Sequence, residues 1–100
     1  MTFEEHVRRA LDALPADLAE GLENVVVVVA DENRADPDLY GLFEEDPYLP
    51  AKVTIYRRPL VADFGGDPAE LEHEIRVTVL HELAHYFGID EERLAELGYE

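Results

Sequence analysis

The stretch from Arg76 to Tyr99, RVTVLHELAHYFGIDEERLAELGY, determines the interpretation of this 100-residue chain. Within it, His81 to His85 form the pattern H-E-x-x-H, and apolar residues at helical spacing precede them. Residues four apart on an α-helix lie about 40° apart around the axis and about 6 Å apart along it. The two imidazoles can therefore converge on one metal ion, with Glu82 beside the first of them. The pattern predicts a metal-binding helix.

A third ligand is expected just after this helix. Gly88 falls three residues after His85, and Glu91 three residues further on, so the string extends to H-E-x-x-H-x-x-G-x-x-E. A straight helix would carry residue 91 about 9 Å beyond His85 along the axis. A left-handed Gly88 would instead end the helix and turn the chain back. The predicted zinc ligands are His81, His85 and Glu91, with Asp90 or Glu92 as alternatives at the third position.

The ligand set indicates a catalytic zinc site. Two histidines and one carboxylate leave the fourth position for water, as catalytic sites do. Zinc lowers the pKa of that water, and a neighbouring carboxylate can take its proton. We therefore predict that zinc-bound water, activated by Glu82 as general base, attacks a peptide carbonyl. The chain has no cysteine, which excludes cysteine zinc sites, disulfide scaffolds and thiol catalysis.

Capping signals predict the helices. Thr2 followed by Glu5 is a capping box that starts a first helix, which Pro15 ends, and a short helical turn follows up to Leu22. The run Asp67-Pro68-Ala69-Glu70 starts a long helix to Phe87. Its buried stripe is predicted to be Leu71, Ile75, Val79 and Leu83, helped by Thr78. Asp90 is predicted to cap a final helix from Glu91 to Leu97, which Gly98 stops.

Two runs predict strands. Val25–Val29 is uninterrupted and β-branched, and its apolar residues at both parities predict a central strand. Lys52–Arg58 alternates, which predicts a half-exposed edge strand that Pro59 limits and along which a peptide substrate could lie. The residues between these runs, Asp31–Pro50, are expected to be an exposed loop, and Asp63–Gly66 a second loop.

The net charge limits the classes of partner that we expect, and the length limits the number of domains. Twenty-four acidic and eight basic residues give a net charge of −16, which disfavours nucleic acid and anionic membranes as partners. The expected partner is a peptide or protein substrate, while neither its sequence nor the oligomeric state is predicted. The length predicts a single domain, residues 1–100. No apolar signal region begins the chain, so a cytoplasmic location is expected.

The quoted stretch resembles the signature of the bacterial minimal zincins, small possible zinc-dependent metallopeptidases. The resemblance includes FEEHVRRALDALP, the valine run, GLF and TIYRRPL. It implies an α+β, zincin-like (metzincin-like) minimal domain, in which a small mixed sheet packs against an N-terminal helix and the long HExxH helix, followed by a short C-terminal helix. The family usually has histidine or aspartate at the third-ligand position, where this chain has Glu91. The only methionine is Met1, so the Met-turn of larger metzincins is absent.

Other functions stay open at this stage. A zinc-binding interaction domain with little or no turnover is the main alternative, because so small a chain provides only one wall of a cleft. Hydrolysis of another ester or phosphoester is a weaker one, and the negative charge disfavours a nucleic-acid substrate. Tyr99 is a weak candidate for stabilising an oxyanion, because a residue so close to the end of the chain is expected to fray.

Overall fold

The computed structural model describes residues 1–87 and 91–99, and of residues 85–87 only the helical backbone. The described elements are α1 (Phe3–Asp12), α2 (Ala16–Glu20), β1 (Val25–Ala30), β2 (Gly41–Glu44), β3 (Ala51–Tyr56), α3 (Arg57–Phe64), α4 (Pro68–Phe87) and α5 (Glu91–Glu96). The strands form a mixed sheet in the order β1-β3-β2, with β1 parallel and β2 antiparallel to β3. The predicted α+β class with a small mixed sheet is confirmed.

The predicted starts of α1 and α4 are confirmed by their capping bonds. The amide of Glu5 donates to Thr2 Oγ1 at 3.2 Å at the start of α1. The amide of Ala69 donates to Asp67 Oδ1 at 2.9 Å at the start of α4. Each bond satisfies a backbone donor that has no partner within its helix. None of the described helices is long and apolar enough to cross a membrane.

Helix α4 belongs to two hydrophobic clusters. The main core joins α1, β3, α3 and α4, and the predicted stripe of α4 lies fully inside it. The second cluster joins α4 to the loop after α1, to α2 and to α5, through Leu14, Leu18, Leu80 and Leu94. Fully burying such side chains contributes about 1.5–3 kcal/mol each. Because both clusters use α4, the position of this helix is fixed from two directions.

The predicted strand positions are wrong in their order. The valine strand β1 lies at an edge of the described sheet and Val26 is 45% exposed, whereas the central strand is β3. The central position was predicted from apolar residues at both parities, but an edge strand that leaves valines such as Val26 exposed has the same pattern. The preference of β-branched residues for strands holds at an edge as well as in the centre of a sheet. In β3, Thr54 and Tyr56 are buried together with Val53 and Ile55. The loop before β2 covers Tyr56, whose hydroxyl accepts a hydrogen bond from Asn33 Nδ2 at 3.0 Å.

Two further segments differ from their predictions. The excursion Asp31–Pro50 contains the strand β2, which the sequence conceals because it is only four residues long and has no alternating pattern. The predicted strand Lys52–Arg58 ends at Tyr56, and its last two residues begin α3, with Pro59 in the first turn. Proline is tolerated there because its missing N–H would lack a helical partner anyway. Helix α3 also includes the first two residues of the predicted loop Asp63–Gly66.

Candidate metal site

The carboxylate of Glu82 is held by the backbone of β2. The amide of Phe43 donates a hydrogen bond to Glu82 Oε2 at 3.2 Å, in a partly buried setting. Residues of an antiparallel strand point their amides alternately toward and away from the neighbouring strand, so the amide of Phe43 faces away from β3 and meets α4. A hydrogen bond to an ionised carboxylate is stronger than one between neutral groups. Strand β2 therefore fixes the orientation of Glu82.

A glycine allows β2 to approach α4 so closely. A Cβ atom built on Gly41 would lie 2.6 Å from Thr78 Cγ2 and 3.3 Å from the Thr54 carbonyl oxygen. The first distance is shorter than any tolerable carbon–carbon contact, and Thr78 is itself buried. The absence of a side chain at position 41 is thus what brings β2 within hydrogen-bonding distance of Glu82.

The neighbouring residue, His81, contacts the C-terminal segment instead. Its Nε2 lies 3.2 Å from the carbonyl oxygen of Tyr99. Because a carbonyl oxygen can only accept, this contact is a hydrogen bond in the tautomer that carries its hydrogen on Nε2 and its lone pair on Nδ1. Metal-bound histidines almost always donate their second ring N–H to a carbonyl or carboxylate. The contact of His81 with Tyr99 is therefore of the kind that orients a metal-binding imidazole.

Tyr99 was expected to fray, but in the structure its ring and its backbone both contact other residues. Its ring stacks on His73 with centroids 5.6 Å apart, and the Arg76 guanidinium carbon lies 5.8 Å from the ring centroid. Gly98 has φ +78°, and the amide of Tyr99 donates to the Leu94 carbonyl at 2.8 Å. This is the Schellman arrangement, in which a left-handed glycine turns the chain back over the helix end. A glycine just after a helix end, followed by an aromatic residue, is the sequence signal that indicates it.

The remaining predicted ligands are described only in part. The side chain of His85, the turn at Gly88 and the cap at Asp90 lie outside the described residues. Glu91 begins α5 and is exposed, as is Glu92. Among the side chains that the structure describes, no group of three or more histidines and carboxylates is placed to hold a metal ion. The predicted set includes His85, so the ligand assignment stays a prediction; two imidazoles and a carboxylate are donors that suit zinc.

A cavity of about 260 Å³ lies between α4 and the chain around the start of β2. Its apolar walls come from Leu39, Tyr40 and Val77. Its charged and polar lining includes Glu74, His81 and Glu82, which lie on the same helix. A volume below the usual 300–1,000 Å³ of ligand pockets suits one side chain rather than a whole small molecule. The cavity is thus lined by His81 and Glu82, the two residues of the H-E-x-x-H motif whose side chains the structure describes.

The wall residue Tyr40 is held in its neutral form. Its hydroxyl donates a hydrogen bond to the carboxylate of Asp63, and this bond, with partial burial and the nearby charges of Asp63, Glu74 and Asp38, raises the pKa of Tyr40 to about 12. Removing the proton would place a phenolate among carboxylates. Tyr40 therefore shapes the cavity as a neutral phenol.

The predicted peptide-binding edge is also corrected by the sheet order. The run Lys52–Arg58 supplies the central strand and cannot accept another strand beside it. Among the described strands, the one at the sheet edge beside His81 and Glu82 is β2. A peptide that extends this sheet near the candidate site would therefore have to meet β2.

A mixed sheet whose edge strand orients the glutamate of a His-Glu pair on a long helix defines a protein of the zincin-like class. Residues 22–99 match the family model of the zincin-like metallopeptidases, and the chain belongs to that family. The matched range begins after α2 and contains the sheet and α3, α4 and α5. Zincins generally bind zinc. No curated protein matches the chain.

Proposed function

We propose that the chain is a zinc-dependent peptidase in which His81, His85 and Glu91 bind the zinc ion and Glu82 is the general base. The observation that carries this proposal is the position of Glu82. Its carboxylate lies beside His81, is fixed by the Phe43 amide and lines an open cavity. Membership of the zincin-like metallopeptidases supports the same activity.

One oxygen of the Glu82 carboxylate is available to accept a proton, as a general base requires. Zinc, when bound, supplies Lewis-acid chemistry that polarises a carbonyl and acidifies water. The bond from Phe43 occupies Oε2 of Glu82 and leaves Oε1 to accept a proton. In the proposed reaction, Glu82 takes a proton from the attacking water as its oxygen adds to the carbonyl carbon. The proton then passes to the amine nitrogen as the carbon–nitrogen bond breaks.

Strand β2 is the proposed docking edge for the peptide. An extended peptide binds an exposed sheet edge through backbone hydrogen bonds, with alternate side chains directed into pockets. Beside β2, such a peptide would run past Glu82 and the cavity and would pair with the outward backbone groups of β2 other than the Phe43 amide, which Glu82 occupies. The substrate class we propose is accordingly an extended peptide or an unfolded segment of a protein.

Zinc content and peptide cleavage test the proposal together. We expect about one zinc ion per chain, measured by mass spectrometry of protein purified without chelator. His81→Ala and His85→Ala should lose the metal. Glu82→Gln should keep it and cut peptide-library cleavage by about 10²–10⁴-fold. Glu70→Gln, an exposed change on the same helix, is the matched control and should leave both unchanged.

The outcomes separate the proposed functions. Folded protein that never binds zinc would contradict the site. Zinc bound without cleavage by either wild type or Glu82→Gln would favour a zinc-binding interaction domain. Single alanine variants of Glu91, Asp90 and Glu92 identify the third ligand, because only the true ligand should weaken zinc affinity strongly.

A further inference from the structure

We infer that the cavity beside His81 and Glu82 is a specificity pocket for a basic side chain, and that Glu74 is the residue that recognises its charge. This inference rests on the proposed peptidase function and names the substrate class: peptides with lysine or arginine next to the cleaved bond. Glu74 binds the substrate in this proposal and takes no part in the chemistry.

The carboxylate of Glu74 is available to a ligand. Glu74 is half-buried and lines the cavity, and no lysine, arginine or histidine among the described residues forms an ion pair with it. Among the described side chains, none forms a hydrogen bond with the Glu74 carboxylate, whereas its backbone carbonyl accepts from Thr78 Oγ1 at 2.8 Å. Two residues earlier, Glu72 pairs with both His6 and Arg9. Side chains of α1 thus pair with Glu72, whereas the carboxylate of Glu74 stays open to the cavity.

The distance along α4 favours a long side chain. Glu74 precedes His81 by seven residues, which corresponds to about 10 Å along the helix axis. A substrate side chain that starts near His81 and Glu82 has to span much of that separation to reach Glu74. Lysine and arginine have stems of this kind, and they bury the stem against apolar surface while the charged head finds a partner.

The walls and the charge fit the same ligand. Leu39, Tyr40 and Val77 provide apolar surface for a hydrocarbon stem. No lysine or arginine is among the residues that line the cavity, so a basic head meets no repulsion there. Aspartate or glutamate in the same place would face the carboxylates of both Glu74 and Glu82. Charge complementarity of this kind selects partners by favouring one sign and penalising the other.

A set of matched peptides tests the inference. The probes are fluorescent heptapeptides Ala-Ser-Ala-X-Ala-Ser-Ala in which X is arginine, lysine, norleucine or glutamate. Their binding is measured by anisotropy, and their cleavage by kcat/KM with the cut bond located by mass spectrometry. We expect arginine and lysine to exceed norleucine by roughly tenfold or more, with cleavage next to X. Glu74→Gln should reduce this ratio below about threefold, and Glu74→Arg should favour glutamate. Glu70→Gln is the control that should leave the ratio unchanged.

Each result decides between the two proposals. Cleavage without preference for a basic residue would overturn the pocket assignment and leave the peptidase standing. A preference that survives in Glu74→Gln would overturn the role of Glu74. Tighter binding of the basic peptides that depends on Glu74, without any cleavage, would support the pocket and contradict the peptidase. Peptides that are neither bound nor cut would overturn both.

Discussion

Strand β2 and the C-terminal segment, residues 91–99, contact α4 at adjacent residues but are attached to the fold in different ways. Strand β2 is paired along its length with the central strand and fits against Thr78 through Gly41. The C-terminal segment is attached through the side chain of Leu94, the stacked ring of Tyr99 and an exposed ion pair between Arg93 and Asp17. Exposed ion pairs contribute at most about 1 kcal/mol, so Leu94 and Tyr99 carry most of this attachment.

This difference in attachment corresponds to the two roles proposed for the motif, which are catalysis by Glu82 and metal binding by His81. Glu82 is oriented by a backbone group of the sheet, which moves only if β2 moves. The carbonyl contact of His81 depends on α5 remaining docked through a few side chains. We therefore expect changes in the C-terminal segment to affect metal affinity and changes in β2 to affect the catalytic step.

The largest expected effect is from Leu94→Ala. Leu94 is only 3% exposed and packs in the second cluster with Leu80, so its truncation leaves a cavity against α4. We expect a loss of about 3 kcal/mol in the free energy of unfolding, measured by urea denaturation. Zinc affinity should fall as well, because the carbonyl of Tyr99 would no longer be held beside His81.

Leu49→Ala is the matched control for this change. Leu49 is 67% exposed in the loop after β2, and its truncation should change stability by less than about 0.5 kcal/mol. A Leu94→Ala protein with unchanged urea midpoint would contradict the inclusion of α5 in the cooperative fold. Faster amide exchange confined to residues 91–99 would then indicate that this segment opens by itself.

A smaller effect is expected from Gly41→Ala. The new methyl group would overlap Thr78 Cγ2, so β2 must shift away from α4. Overpacking of this kind costs about 1–3 kcal/mol, and the shift should also lengthen the bond from Phe43 to Glu82. We expect a lower urea midpoint and a fall in kcat at unchanged zinc content.

A second variant isolates the cause. Thr78→Ser removes Cγ2 and keeps the hydroxyl that bonds to the Glu74 carbonyl, so Gly41→Ala combined with Thr78→Ser should regain most of the lost stability. Gly66→Ala is the control, because a Cβ atom there meets nothing within 4 Å. Failure of Thr78→Ser to rescue Gly41→Ala would contradict steric overlap as the reason for the glycine.

The parts of the fold that the sequence predicted are those with local causes. The capping bonds at Thr2 and Asp67 and the apolar stripe of α4 depend on residues close together in sequence, and they are confirmed. The order of the strands depends on pairings between distant residues, so the valine run could not reveal that it forms an edge. In the site, the motif identified His81 and Glu82. Their partners are backbone groups of Phe43 and Tyr99, which every residue type possesses and no pattern marks.

The smallest expected effect concerns Tyr40, directly before β2. Because the pKa of Tyr40 is raised to about 12 from the usual 10, the folded protein keeps this proton at a pH where the unfolded chain loses it. The contribution of Tyr40 to stability should therefore be constant below pH 10 and fall as the pH rises from 10 toward 12. Tyrosine ring carbon shifts, followed by NMR against pH and assigned with Tyr40→Phe, measure the titration directly.

Asp63→Ala sharpens this last test, because it removes the hydrogen-bond acceptor and the charge that contribute most to the shift. The pKa of Tyr40 should then move back toward 10. A Tyr40 pKa that is the same in the wild type and in the Asp63 variant would contradict the contribution of the bond to Asp63. Since the bond between Tyr40 and Asp63 holds one wall of the cavity, its loss should also weaken binding of the arginine peptide without changing the zinc content. A change on the β2 side of α4 should thus affect peptide binding, whereas a change in the C-terminal segment should affect zinc affinity.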